Sequence, residues 1–297
     1  MSRDTHKIEG RFVVALALTA LILIAEVVGG LLTHSLALLS DAAHVLLDML
    51  ALGMSYAALR LAARPADDRH TYGYHRFEVL AALANGSLLL LMAFGIFREA
   101  LRRFGAPEPV LARPMLVVAV IGLAVNLIVM RVLGEHDHDD LNVHSAWLHV
   151  LGDMLSSVGV IAAGLVILLT GWMLADPLVS MLIGLVILVG AGRVLRQALH
   201  ILLEGTPEGL SPSQVTSTMR EAPGVSEVHD LHIWTVSPGY VALSAHVVLD
   251  ERSFPEALAV QTGLRQMLAG RFSIHHTTIQ VECADCGQGA LTCANRH

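Results

Sequence analysis

Histidine and aspartate recur four residues apart, twice, in segments whose other side chains are almost all apolar. His44-Val45-Leu46-Leu47-Asp48-Met49-Leu50 is repeated nearly letter for letter as His149-Val150-Leu151-Gly152-Asp153-Met154-Leu155. On a helix this spacing is a little over one turn, so each imidazole stands above its carboxylate on one face. Two such faces brought together offer two imidazoles and two carboxylates, a donor set that suits a tetrahedral divalent metal, Zn2+ first. A charge at the centre of a bilayer costs on the order of 3 kcal/mol or more, so the carboxylates need a reason to be there. Two of them neutralise one divalent cation, and the loaded site is then formally uncharged. A lone histidine or aspartate in such a segment reads equally well as an interhelical clamp. Duplication of both residue type and spacing favours metal, and metal at membrane depth points to transport.

The elements that must hold these residues follow from composition. A hydrophobic fraction of 54% against 15% charged residues, with a mean hydropathy of +0.62, is too apolar for an ordinary soluble domain. Apolar runs of roughly 20 residues suit helical spans, and six are present, at 12–32, 36–59, 78–97, 116–133, 146–169 and 177–199. The first lacks a small-residue cleavage site and is followed by five more, so it reads as a retained helix. With both ends on one side, that side collects Arg3, Lys7, Arg11, Arg60, Arg64, Arg69, Arg76, Arg131, Arg193 and Arg196. The other side holds Arg98, Arg102, Arg103 and Arg113. The excess places both termini in the cytoplasm of a plasma or inner-membrane protein, although the basic stretch after the third span runs against the rule. A net charge of −7 and a pI near 6.1 give no reason to expect a nucleic-acid partner.

Residues 1–205 are thus expected to form a six-helix transport domain, and 206–297 a separate cytoplasmic domain. The polar segment reads as helix over 211–222, strands over 225–236 and 240–249, helix over 255–268 and strand over 274–282. Pro223-Gly224 and Ser237-Pro238-Gly239 punctuate it. The order αββαβ implies a small sheet covered by helices on one face. Cys283, Cys286 and Cys293 close the chain. An odd number near a cytoplasmic tail argues against a disulfide framework, and Cys283 and Cys286 are either a soft metal pair or inert thiols. The loop 135–140, with His136 and His138 among acidic residues, either collects metal on the cytoplasmic side or is simply solvated. Asp41 shares the face of His44 and Asp48, and it either supports a ligand from behind or caps the helix end. Glu26 and Asn126 read as interhelical hydrogen-bonding groups.

Ser35-Leu-Ala-Leu-Leu-Ser-Asp41-Ala-Ala-His44-Val-Leu-Leu-Asp48, Tyr72-Gly73-Tyr74-His75-Arg76-Phe77-Glu78, Asn142-Val143 with Leu148-His149-Val150-Leu151-Gly152-Asp153, and Val228-His229-Asp230-Leu231-His232-Ile233-Trp234 together resemble the cation diffusion facilitator family. The resemblance runs from about 13 to 282. It implies a multi-pass α-helical membrane protein with six transmembrane helices and a cytoplasmic α/β ferredoxin-like domain, assembled as a homodimer that exports Zn2+ in exchange for protons. Histidine at the head of both motifs resembles the zinc-selective subgroup, whereas members with aspartate first are associated with other metals as well. The resemblance also implies secondary metal positions. Asp67, Asp68 and His70 resemble a loop site, with Tyr74 standing where a further histidine is expected and His75 one residue beyond. His229, His246, His275 and Glu282 match metal-binding positions of the tail. His229 and His246 fall on the two arms of the expected hairpin near facing register, which suits a shared ion.

The mechanism expected is alternating access around one His2Asp2 site. Neutral imidazoles and carboxylates bind Zn2+ from the cytoplasm, and protonation of the histidines on the other side displaces it. No Gly-x-x-x-x-Gly-Lys loop occurs to bind a nucleotide, and no His-Glu-x-x-His motif occurs to build a metallohydrolase. No organic cofactor is expected. Two readings stand beside zinc/proton antiport: a broader exporter of Cd2+, Co2+ and Ni2+, and a membrane-anchored metal sensor that does not transport.

Overall fold

The computed structural model describes the backbone over 2–134, 141–250 and 256–282, and side chains over 16–131, 151–250 and 256–282. The expectations at His136, His138, Cys283 and Cys286, and the side chain of His149, lie outside the described residues. Each apolar run is contained in a helix: α1 (Ser2–Thr33), α2 (Leu36–Ala62), α3 (Arg76–Gly105), α4 (Ala112–Gly134), α5 (Leu141–Thr170) and α6 (Ala175–Leu202). All six are long and apolar enough to cross a membrane. The helices outrun the apolar stretches because their end turns are polar, as at Arg102 and Arg103 in the last turn of α3. At 1.5 Å per residue, α2 is about 40 Å long, more than a hydrocarbon core requires.

The chain divides into two compact units, Met1–Met54 with Ala84–Arg193, and Ser55–Leu83 with Val194–His297. The first is a helical bundle whose polarity is the reverse of a soluble protein's. Leu21, Ile24, Leu52, Leu91, Phe94, Leu182 and Val186 are exposed, while Glu26, Asp41, Asn126, Asp153 and Ser157 are buried. An apolar exterior around a polar interior is what lipid as the surrounding solvent selects. Glycine allows the helices to approach. A Cβ on Gly29 of α1 would stand 2.7 Å from Val118 Cγ2 of α4, and one on Gly164 of α5 would stand 2.8 Å from Leu116 Cδ2 of α4. Residues of this kind substitute for the hydrophobic drive that lipid does not supply between helices.

The start of α2 is fixed from a distance. Asp176, fully buried in the first turn of α6, accepts hydrogen bonds from Ser35 Oγ at 2.6 Å, Leu36 N at 2.7 Å and Ala37 N at 3.2 Å. These are donors that a helix N-terminus otherwise leaves without partners. Arg103 Nη1 lies 3.4 Å from Asp176 Oδ2 and donates to His34 O at 2.6 Å, closing the turn before α2.

In the second unit, α7 (Pro212–Arg220), β1 (Val225–Ser237), β2 (Tyr240–Leu249), α8 (Ala257–Phe272) and β3 (His276–Glu282) give the αββαβ order. The sheet runs β1-β2-β3, with β1 antiparallel to β2 and β3 parallel to β2. Val215 and Met219 of α7 and Leu264 and Leu268 of α8 form one core with Val228, Ile233, Leu243, Val247 and Ile279 of the sheet. The loop between α2 and α3 belongs to this unit. The His75 ring lies 5.2 Å from that of Tyr240, and the Tyr72 ring lies 5.4 Å from that of His276.

Candidate functional site: two convergent metal-ligand groups

Among the described residues, His44, Asp48 and Asp153 converge, with one donor atom of each within 4.8 Å of the others. The helical spacing produces half of this directly, since His44 Nε2 lies 3.4 Å from Asp48 Oδ2 one turn along α2. The other half comes from α5, which brings in Asp153, 5% exposed. His149 is carried on α5 four residues before Asp153, so its Cα lies on the same helix face. Three oxygen and nitrogen donors from two helices, in a largely buried setting, are two carboxylates and an imidazole suited to a borderline divalent cation. Asp41 of α2, Glu26 of α1 and Ser157 of α5 are buried in the same unit.

The second convergent group is His229, His246 and Glu282, again with donor atoms within 4.8 Å of one another. His229 and His246 are direct cross-strand partners, and their ring centroids are 5.3 Å apart. Glu282 reaches both from β3: Oε2 lies 3.5 Å from His229 Nε2, and Oε1 lies 2.9 Å from His246 Nδ1. Two imidazoles and a carboxylate fit zinc, with a fourth position left for water or another ligand. His275 is not part of this group. It is exposed and precedes β3, whose six steps to Glu282 span about 20 Å.

The loop expectation meets a different geometry. Asp67 Oδ1 accepts hydrogen bonds from Arg69 N at 2.9 Å and His70 N at 2.7 Å, and Tyr74 donates to Oδ2 at 2.7 Å. The Tyr74 hydroxyl and these backbone donors hold the Asp67 carboxyl down at about 2. The Tyr74 hydroxyl is pushed up, chiefly by the same bond. The carboxylate is therefore committed to shaping the turn, and His75 is turned onto Tyr240. Asp67, Asp68, His70 and His75 do not form one of the convergent groups among the described residues.

Sequence reasoning missed two polar residues that the structure puts to use. Asp176 was legible only as an acidic residue opening an apolar run. Asp230 lies inside the quoted His-Asp-Leu-His stretch, yet alternation along a strand points it away from His229. Its Oδ1 is 3.0 Å from His232 Nε2 and its Oδ2 is 3.7 Å from His246 Nε2.

Residues 12–203 match the family described as the cation efflux transmembrane domain, and 207–284 match the cation efflux protein cytoplasmic domain. The metal cation efflux system protein CzcD of Cupriavidus metallidurans is 47% identical over 275 residues, covering 93% of this chain and 87% of that protein. The cadmium, cobalt and zinc/H(+)-K(+) antiporter of Bacillus subtilis is 41% identical over 263 residues, with 88% and 84% covered. The zinc transporter ZitB of Escherichia coli is 40% identical over 278 residues, with 93% and 88% covered. Six membrane-crossing helices, a cytoplasmic-type αββαβ domain and these matches along nearly the whole chain show that it belongs to the cation diffusion facilitator family, as an integral membrane transporter for metal-cation efflux.

Proposed function

We propose that this chain exports Zn2+ from the cytoplasm in exchange for protons, through one site built from His44, Asp48, His149 and Asp153. The observation that carries the reading is the convergence of His44, Asp48 and Asp153 from the middle of two membrane-crossing helices. Neutral imidazoles and ionised carboxylates bind the ion and cancel its charge, so the loaded site tolerates low dielectric. Protons on the imidazoles compete with the ion directly, which gives the cycle its release step. Relatives named as a zinc transporter and as a zinc/H(+)-K(+) antiporter support both halves of the reading. Residues 1–205 carry transport, and 206–297 bind metal through His229, His246 and Glu282 and hold two protomers together. Both termini face the cytoplasm. The experiment is zinc flux in proteoliposomes with an internal pH dye, for the parent and for Asp153→Asn. Zinc movement without a proton counterflow contradicts antiport, and normal flux in the variant contradicts the site.

A second reading widens the substrate to Cd2+ and Co2+, which the name of the Bacillus subtilis relative favours. It uses the same site, and competition by each metal against zinc flux separates the two.

A further inference from the structure

Five metal-ligand side chains in the cytoplasmic domain form an unbroken series from solvent to core. His232 Nε2 lies 3.0 Å from Asp230, Asp230 lies 3.7 Å from His246 Nε2, His246 Nδ1 lies 2.9 Å from Glu282, and Glu282 lies 3.5 Å from His229. Side-chain exposure is 49% at His232, 18% at Asp230, 24% at His246, 12% at Glu282 and 1% at His229, so the two ends of the series lie in solvent and in the core. An ion bound by His229 and Glu282 must shed its water in a nearly closed site, so the way in matters.

The backbone is bent to make this series. His229 pairs with His246 and His232 with Ser244, so three steps along β1 oppose two along β2, with a register shift between His229 and His232. A bulge of this kind re-aims side chains. Within it Asp230 adopts φ 49, a left-handed conformation that few residues other than glycine, asparagine and aspartate take up. Without the bulge, alternation would carry the Asp230 carboxylate to the face opposite His246.

We propose that Asp230 and His232 form an outer divalent-cation site from which the inner group is loaded through His246. The proposal rests on the reading of His229, His246 and Glu282 as a metal site. One carboxylate, one exposed imidazole and water bind a divalent ion weakly and exchange it fast, as a loading site requires. A neutral imidazole has a single lone-pair nitrogen, so His246 serves one ion at a time. As the ion passes from Nε2 to Nδ1, the ring proton passes from Nδ1 to Nε2. There it faces the Asp230 carboxylate, 3.7 Å away, whose charge favours the proton at that nitrogen and leaves Nδ1 for the inner ion.

The test uses the full-length protein in detergent on an Asp153→Ala background, which keeps the transport site from contributing. Zinc uptake is followed by stopped flow against a fluorescent zinc indicator, and zinc bound per chain by equilibrium dialysis. Asp230→Asn keeps the left-handed preference and removes the charge, and His232→Asn alters an exposed side chain only. Both are expected to slow uptake by about tenfold, a loss of the size seen when partners around a metal are removed, while saturating stoichiometry stays at the parent value. His229→Ala is expected to lose one zinc per chain. Parent-rate uptake in His232→Asn and Asp230→Asn overturns the proposal. So does a lower stoichiometry with unchanged rate, which would make the two residues part of the equilibrium site. Unchanged stoichiometry in His229→Ala overturns the inner metal site itself, independently of the outer one.

Discussion

Asp153 is the most buried of the three convergent donors in the membrane unit, while His44 and Asp48 keep 26% and 19% of their side chains exposed. Substitution at Asp153 therefore tests electrostatics rather than packing. Asp153→Asn preserves shape but leaves a loaded site with one uncompensated positive charge, a penalty that low dielectric magnifies. Zinc flux is expected to fall by more than the roughly 10- to 100-fold that loss of a partner behind a ligand costs, with detergent-solubilised protein still monodisperse. His44→Asp acts on selectivity. An imidazole directs one nitrogen toward a small tetrahedral ion, whereas a third carboxylate offers oxygens to larger ions and leaves the loaded site at −1. The ratio of Cd2+ to Zn2+ flux should rise and zinc turnover should fall. An unchanged ratio would move selectivity from this histidine to the packing of the helices around it.

The helices are held by contacts that a substitution can probe directly. Gly29→Leu drives a side chain into Val118, whose Cγ2 would lie 2.7 Å from the new Cβ, and should destabilise the bundle by about 1–3 kcal/mol in thermal unfolding. In the loop after α2, Tyr74→Phe removes the main bond that holds the Asp67 carboxyl at about 2, so its titration should move up toward the usual carboxylate range in a carbon-detected NMR titration. The sign follows from the depressed folded value: the contribution of Asp67 to the turn is present above the unfolded carboxylate pKa and is lost as pH falls through about 2. In the variant that loss comes at higher pH. The helices and the αββαβ order were legible because apolar run length and strand-rich segments are local properties. The near-facing placement of His229 and His246 was legible from the Ser237-Pro238-Gly239 turn, whereas their direct pairing depends on two register shifts along the hairpin. Asp176 capping α2 was not, because its partners lie about 140 residues away. The position of Asp230 was hidden by a bulge that breaks alternation, and His275 was misleading because β3 starts only after it.

At the scale of the whole molecule, the proposed function divides transport, in the helical bundle with His44, Asp48 and Asp153, from metal-dependent tuning, in the small domain with His229, His246 and Glu282. Removing residues 206–297 should lower flux and weaken self-association in analytical ultracentrifugation, and leave the selectivity of the residual flux unchanged. Intact dimer stability and full flux without these residues would make the domain a passenger. The central claim is that one intramembrane site binds either zinc or protons, and a pH jump tests it most directly. Purified protein in liposomes is loaded with a zinc indicator and a pH dye, and the side equivalent to the cell exterior is acidified. The account predicts that zinc moves toward the acidic side while protons move the opposite way, and that Asp153→Asn abolishes both movements together. Zinc flux that ignores the pH step and leaves the dye unchanged would contradict it.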